Sequence, residues 1–272
     1  MSDAADITRL AKSNLTFAFA CVPKERRADL NSFYAFCRVI DDIADDLGKS
    51  KGERQAGLNA WKEALSRTDN PPESLQAEVV AMRERYQVDP ELLLLIIRGC
   101  ESDLVPQRFG TWQDLQRYCY QVASAVGLVL VPLLGGSKQA EAYSISLGYC
   151  LQLTNIMRDV GEDLSNSGRI YLPLADLNRF QYTERDLIGR VYDGRFLALM
   201  KFQAERAKGL YQECVDHLPP GDRRAMRATE IMRRIYHALL VKMEKDQFQV
   251  FDRRYRISKL QKISLLLREM IR

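Results

Sequence analysis

Four aspartates are grouped in two pairs near the end of a stretch with helical apolar spacing, residues 34–46. Asp41 and Asp45 are four residues apart, as are Asp42 and Asp46. On a helix, this spacing puts the two carboxylates of a pair on the same side, where they repel each other. The pairs also lie near the C-terminal end of the stretch, where the helix dipole disfavours negative charge. An acidic helix end in solvent explains this poorly, so the pairs predict a cation-binding site.

A stripe of polar side chains crosses a second stretch, residues 152–163, in a segment that is otherwise apolar. Asn155, Asp159 and Asp163 follow at intervals of four residues, and Gln152 lies one turn before Asn155. Burying such polar groups in an apolar wall is unfavourable unless something compensates them, and a divalent cation would do so. Together the two stretches predict one metal site built from two helices.

The residue types favour magnesium over zinc at this site. The chain has two histidines, and its six cysteines form no C-x-x-C pair, which leaves oxygen atoms as the ligands. Mg²⁺, or Mn²⁺ in its place, suits such ligands, and Mg²⁺ usually joins carboxylates to substrate phosphates. Arg38 lies one turn before Asp42, and Arg158 and Arg169 flank the second stretch. Their guanidinium groups would complete a diphosphate clamp.

A diphosphate held beside apolar helices suggests a prenyl diphosphate as the substrate. Its ionisation would leave a carbocation, which a dry cavity protects from water. No glycine-rich nucleotide-binding motif of the G-x-x-x-x-G-K-[ST] or G-x-G-x-x-G type is present, so a nucleotide fold is not indicated.

The elements that carry these motifs are predicted to be helices. Pro23 suits the first turn of a helix from about Lys24 to Leu47. Thr111 with Asp114, and Thr183 with Asp186, are typical of capped helix starts. The breaks between apolar stretches are short, and no long alternating strand pattern is found. We predict one all-α domain over residues 1–272, a bundle of roughly ten helices.

The composition fits a globular cytoplasmic protein, with 46% hydrophobic and 28% charged residues. The N-terminus does not resemble a signal peptide, and no apolar run reaches the about 20 residues that a spanning helix needs. Residues 221–272 contain 14 Lys and Arg but 6 Asp and Glu, a balance of +8. No nucleic-acid-binding motif accompanies this charge, so we expect no nucleic-acid partner; peripheral contact with a membrane is the alternative use.

Four stretches, in their order and spacing, resemble the squalene/phytoene synthase family of head-to-head prenyl transferases. They are YAFCRVIDDIAD (34–45), RYCYQVASAVG (117–127), QLTNIMRDVGEDLSNSGRIYLP (152–173) and FQVFDRRYRIS (248–258). The second acidic motif with its GRIYLP tail is the most specific of these. The family's Ser-Phe pair near the start is replaced here by Asn14 and Leu15. Loss of the acidic residues would favour a non-enzymatic helical assembly protein, and none is lost.

The resemblance implies an isoprenoid-synthase helical bundle with a central active-site cavity that binds two prenyl diphosphates. One donor loses its diphosphate, and the other attacks its allylic cation to give a cyclopropyl diphosphate. The expected metal ligands are Asp41, Asp45, Asn155, Asp159 and Asp163. The expected catalytic residues are Tyr34, Arg38, Asp42, Tyr120, Gln152 and Tyr171. The expected diphosphate-binding residues are Ser13, Arg38, Arg158, Arg169 and Arg253, with the neighbouring Arg254 as the alternative to Arg253.

The resemblance is compatible with a thirty-carbon or a forty-carbon product. We favour condensation of two farnesyl diphosphates to presqualene diphosphate, followed by reduction with NADPH to squalene. The alternatives are a phytoene synthase that condenses two geranylgeranyl diphosphates, and a dehydrosqualene synthase. The absence of a Rossmann fingerprint decides little about NADPH, because squalene synthases of the family also lack one. We expect a monomer or a homodimer.

Overall fold

The computed structural model describes residues 18–66 and 74–270. Within these ranges the chain forms no strand, and its one β-bridge joins Arg108 to Ile170. In chain order the α-helices of these ranges are α1 (Lys24–Asp45), α2 (Lys51–Ser66), α3 (Leu75–Arg85), α4 (Pro90–Ser102), α5 (Trp112–Leu134), α6 (Glu141–Ser167), α7 (Leu174–Arg179), α8 (Glu184–Ile188), α9 (Gly194–His217), α10 (Arg227–Lys245) and α11 (Lys259–Met270). They pack around one hydrophobic core, and the all-α prediction is confirmed.

Helix α1 carries the first acidic motif and ends sooner than predicted. Pro23 precedes its first turn, and the helix stops at Asp45 rather than Leu47. Leu30, Phe33, Phe36 and Ile40 are buried on one face, at the three- and four-residue spacing of an amphipathic helix. This burial fixes the rotation of α1 and turns the opposite, acidic face outward.

Helix α6 carries the second motif and is the longest helix in the described part of the chain. It is followed by Gly168, whose φ of +64° is the left-handed conformation that glycine adopts without a steric penalty. The turn lets the Arg169 N–H bond to the Asp163 carbonyl at 3.3 Å, and the next residue joins the bridge to Arg108. The GRIYLP stretch is therefore folded back beside the helix that precedes it.

Helix α5 runs through the interior and contains a π-helical turn at Tyr120–Ser124. It begins with the predicted capping box between Thr111 and Asp114. A Cβ on Gly148 would lie 2.5 Å from the Ser124 backbone, so α5 and α6 touch where the turn widens. Among the described residues, α5 is the helix that is long and apolar enough to cross a membrane, yet it packs against α4 and α6 as a core helix does.

Candidate active site

The two acidic motifs face each other across a cleft of about 680 Å³ between the C-terminal halves of α1 and α6. Ten of the predicted site residues line it: Arg38, Asp41, Asp42, Asp45, Gln152, Asn155, Arg158, Asp159, Asp163 and Arg169. Arg169 crosses between the two halves, with its guanidinium 2.9 Å from the Asp45 carboxylate. The two acidic motifs therefore form two walls of one cleft.

On the α1 wall, Arg38 holds the carboxylates in place. Its guanidinium donates to Asp42 at 3.0 Å and to Asp41 at 3.3 Å. Asp46, the fourth aspartate of the motif, does not line the cleft. It follows the last helical residue and pairs with Lys49 at 3.1 Å. Asp42 thus faces the cleft without its predicted partner, because the helix ends before Asp46.

On the α6 wall, Arg158 and Arg254 neutralise part of the acidic stripe. Arg158 Nε donates to Asp159 at 2.7 Å, and a second guanidinium nitrogen contacts the other carboxylate oxygen. Arg254 approaches Asp159 to 3.5 Å and donates to Glu162 at 2.9 Å. The Asn155 Oδ1 atom is buried and accepts no hydrogen bond from the residues that the structure describes. A buried acceptor without a partner is unfavourable, so this oxygen fits a ligand such as a cation.

The donor set fits Mg²⁺ that shares its coordination with a substrate. In the described ranges, no three acidic, histidine or cysteine side chains converge closely enough to enclose an ion by themselves. Mg²⁺ is commonly held by one or two carboxylates plus phosphate oxygens and water, not by a complete protein cage. Two separated acidic walls match that mode, since a diphosphate between them would supply the remaining ligands.

Two carboxyl groups of the cleft have raised pKa values. Burial and the neighbouring charge of Asp45 raise the pKa of Asp41 to about 6, although the open cleft leaves about half of that side chain exposed. Burial and the charge of Asp159 raise the pKa of Asp163 to about 7, against the opposing effect of Arg169. Two carboxyl groups whose charged form is disfavoured by burial and by neighbouring negative charge are in surroundings that favour a bound cation.

This predicts a pH-dependent gain in stability for Asp163→Asn in the absence of metal. A carboxyl whose folded pKa is raised stabilises the protein below its unfolded pKa of about 3.8, and this contribution is lost as pH rises to about 7. The melting temperature of the variant minus that of the wild type, in EDTA, should therefore increase between pH 4 and pH 7. A difference in melting temperature that stays constant or decreases over that range would contradict a raised pKa of Asp163 in the folded protein.

Behind the cleft, Asp103 organises two tyrosines in a smaller cavity of about 160 Å³. Tyr118 Oη donates to the Asp103 carboxylate at 2.7 Å, and Tyr171 Oη donates to it at 3.1 Å. Arg169 also donates to the Asp103 carbonyl at 2.9 Å. The predicted Tyr171 is thus held beside the acidic walls through a residue that the motifs did not indicate.

The structure corrects the choice of Tyr120. That side chain lies against Tyr149, with ring centroids 6.5 Å apart, and lines neither the cleft nor the smaller cavity. Tyr118 lies in the same stretch, RYCYQVASAVG, and lines the cavity instead. Two residues along a helix differ by about 200° in direction, so only one of these tyrosines can face the site. The stretch is therefore a usable signal for the site, and within it Tyr118 rather than Tyr120 faces the cavity.

The structure also corrects the choice of Arg253. Its side chain is 66% exposed, lies outside the cleft and pairs with Asp246 at 3.0 Å. Tyr255 Oη donates to the same carboxylate at 2.6 Å. Asp246 thus binds residues on both sides of Arg254, which is directed into the cleft. Ser13, with the departing Asn14 and Leu15, lies outside the described residues.

An apolar channel of about 280 Å³ adjoins the cleft. Gln152 and Asn155 line both spaces and mark their junction, and the predicted Tyr34 lines the channel. The other lining residues are Val122, Ala123, Val126, Gly127, Leu130, Ser144, Leu147, Gly148, Leu151, Thr229, Met232 and Tyr236. The site therefore has a charged compartment for a diphosphate and an apolar one for a hydrocarbon chain.

Comparison with known proteins agrees with this arrangement. A family model described as squalene/phytoene synthase matches residues 8–261. The 15-cis-phytoene synthase of Synechococcus elongatus is 32% identical over 92% of this chain and 86% of its own length. The 4,4'-diapophytoene synthase of Staphylococcus haemolyticus is 30% identical over 92% of this chain and 88% of its own length.

A solved structure gives the same result for the fold. The crystal structure of a dehydrosqualene synthase in complex with ligand superposes with a TM-score of 0.86 and 27% identity, covering 98% of this chain and 94% of that one. The match extends over the helices that form both the cleft and the channel. With sequence, fold and site in agreement, the chain belongs to the squalene/phytoene synthase family.

Proposed function

We propose that this prenyltransferase condenses two geranylgeranyl diphosphates head to head to give phytoene, in a reaction that depends on Mg²⁺. The observation that carries the proposal is the acidic, arginine-lined cleft that meets an apolar channel at Gln152 and Asn155. The forty-carbon product is supported by the name of the Synechococcus relative, a phytoene synthase. It takes the place of the thirty-carbon product favoured from sequence.

The chain's own residues divide the work between the two compartments. Arg38, Arg158 and Arg254 would bind the diphosphates, because their guanidinium groups line the cleft. Asp41 and Asp45 on one wall, and Asn155, Asp159 and Asp163 on the other, would hold Mg²⁺. Bound there, Mg²⁺ would neutralise the diphosphate and assist its departure.

The apolar compartment protects the cation that forms when the donor's C–O bond breaks and diphosphate leaves with the electron pair. The second substrate's double bond then attacks that carbon, a proton is lost, and the cyclopropyl diphosphate results. Tyr34 lies in the channel wall and Tyr171 beside the acidic walls, where their rings would stabilise positive charge. Phytoene forms from this intermediate when its remaining diphosphate leaves with the electron pair of the C–O bond, the resulting cation rearranges and a proton is lost. No hydride is needed in that step, so NADPH would be required only for squalene.

A thirty-carbon product is the second candidate. The Staphylococcus relative is named a diapophytoene synthase, and the superposed crystal structure is a dehydrosqualene synthase. Both names support a reaction of farnesyl diphosphate in the same cleft. Whether the protein is a monomer or a homodimer stays a prediction.

Product analysis distinguishes these candidates. We expect incubation with geranylgeranyl diphosphate and Mg²⁺ to give phytoene, with no requirement for NADPH and no turnover in EDTA. Farnesyl diphosphate is the parallel substrate, and extracted lipids are identified by chromatography and mass. Exclusive use of farnesyl diphosphate would refute the forty-carbon proposal, and activity that survives EDTA would refute the role of the metal.

The two neighbouring arginines provide a matched test of diphosphate binding. Arg254→Ala should raise KM for the prenyl diphosphate by about 10- to 100-fold, the effect of losing one or two charge-assisted hydrogen bonds. Arg253→Ala should leave KM nearly unchanged, because that side chain pairs with Asp246 outside the cleft. Equal effects of the two substitutions on KM in steady-state assays would contradict the proposal that Arg254, and not Arg253, binds the diphosphate.

A further inference from the structure

Helix α11 presents its apolar side chains to solvent. Leu260, Ile263 and Leu267 are 80%, 45% and 52% exposed. Their spacing of three and four residues puts them in one stripe along the helix. None of the residues that the structure describes covers this stripe. An ordinary surface helix turns its apolar side chains toward the protein core, whereas α11 also carries this second apolar stripe on its solvent side.

The opposite face of α11 is fixed to the protein by a charged contact. The Glu269 carboxylate lies 2.5 Å from the Arg234 guanidinium of α10, and its side chain is largely buried. Leu265 and Leu266 pack against the core on this side, and burial lowers the pKa of Lys262. Rotating the helix to hide the stripe would break the ion pair and expose these leucines. The outward direction of the stripe is therefore a stable feature of the fold.

Basic residues border the stripe on both sides. Lys259 and Arg268 lie on opposite flanks of it along the helix, and both are exposed. The segment that leads into α11 adds the exposed Arg256, and residues 221–272 have a net balance of +8. An apolar stripe between cationic flanks is complementary to an anionic bilayer surface, where the apolar groups enter the acyl boundary and the cations meet the headgroups.

We propose that the outward stripe of α11, with its basic flanks, is the surface by which this enzyme docks on an anionic membrane. The inner side of α10 lines the apolar channel with Met232 and Tyr236, whereas Arg234, on the other side, anchors α11. Docking would place the wall of the channel beside the bilayer. That this position suits an enzyme with a hydrocarbon product rests on the proposed function. The docking surface itself does not depend on that function.

A second copy of the chain fits the stripe less well. Stable protein interfaces bury on the order of 1,200–2,000 Å² in total, which three side chains on one short helix do not supply. Two copies placed stripe to stripe would also bring their basic flanks together. Anionic lipid meets both the apolar and the charged requirement.

Vesicle co-sedimentation without substrate tests the docking surface independently of the reaction. We expect the full chain to bind vesicles that contain phosphatidylglycerol more tightly than vesicles of phosphatidylcholine alone. The triple substitution Leu260→Ser, Ile263→Ser and Leu267→Ser should weaken binding at least about tenfold. Lys259→Gln with Arg268→Gln should remove the preference for the anionic lipid and its dependence on salt.

Ile188→Ser provides the matched control, since Ile188 is 62% exposed on α8 and belongs to no such stripe. It should bind vesicles as the wild type does. All variants should keep wild-type helicity and wild-type turnover of detergent-dispersed substrate, which separates docking from folding and from chemistry. Unchanged binding of the triple variant, an equal loss in Ile188→Ser, or a dimer in solution that the triple substitution converts to a monomer would overturn the proposal.

Discussion

Asp41→Asn is expected to lower turnover by about 10²-fold or more, the order of effect seen when one electrostatic contact to a developing charge is lost. Asp41 lines the cleft on the α1 wall, and the substitution removes one of the carboxylates that we propose to hold Mg²⁺. Single-turnover assays with saturating prenyl diphosphate and Mg²⁺ measure the effect on the chemical step. Asp159→Asn on the facing wall should act in the same direction.

Asp46→Asn is the control for this prediction. It makes the same substitution in the same motif, but Asp46 pairs with Lys49 outside the cleft. Its activity should stay near that of the wild type. The two cleft variants should differ in stability. Asp41→Asn relieves repulsion, whereas Asp159→Asn leaves the largely buried Arg158 without its ion-pair partner. Wild-type activity of Asp41→Asn would show that the motif does not hold the catalytic metal.

Ser144→Phe is expected to change which prenyl diphosphate the enzyme accepts. Ser144 is 1% exposed in the wall of the apolar channel, and its hydroxyl has no hydrogen-bond partner in the described part of the chain. It lies against Gly127, where an added Cβ would be 2.9 Å from the Ser144 carbonyl, so the two helices are in close contact at this point of the channel wall. The ring should fill channel volume and shorten the chain that fits.

The expected result is a loss of at least about tenfold in kcat/KM for geranylgeranyl diphosphate, with a smaller loss for farnesyl diphosphate, since each displaced methylene costs about 0.8 kcal/mol. Ser144→Ala keeps the channel open and removes an unsatisfied hydroxyl, so it should retain activity and unfold at an equal or higher temperature. Ser144→Leu is the smaller blocking variant if the phenylalanine overpacks the helix contact. Equal losses for both substrates in the blocking variants would show that Ser144 does not limit chain length.

The walls of the site were predictable from sequence because they depend on local geometry. Residues four apart on a helix share a side, so Asp41 with Asp45, and Asn155 with Asp159, had to project together once their stretches were helical. The same is true of the capping box at Thr111, which is made within one turn. The all-α fold followed from apolar spacing and short breaks repeated along the whole chain.

Three features of the site were decided by contacts between distant parts of the chain. Asp103 carries no motif and becomes important only because Tyr118 and Tyr171, from two other elements, donate to it. Arg254 enters the cleft because Asp246 holds the residues on either side of it. Tyr118 faces the cavity because packing of α5 against its neighbours sets the rotation of that helix.

The sequence by itself thus determined the helices, the pairing of carboxylates along each of them and the charge of the two walls, all properties of neighbours within one or two turns. Only the tertiary structure decided which of two adjacent arginines and which of two nearby tyrosines face the site, and that an apolar channel adjoins the cleft at Gln152 and Asn155. The physical reason is that a helix restricts directions relative to its own axis, whereas its rotation and its neighbours are set by packing against the rest of the chain.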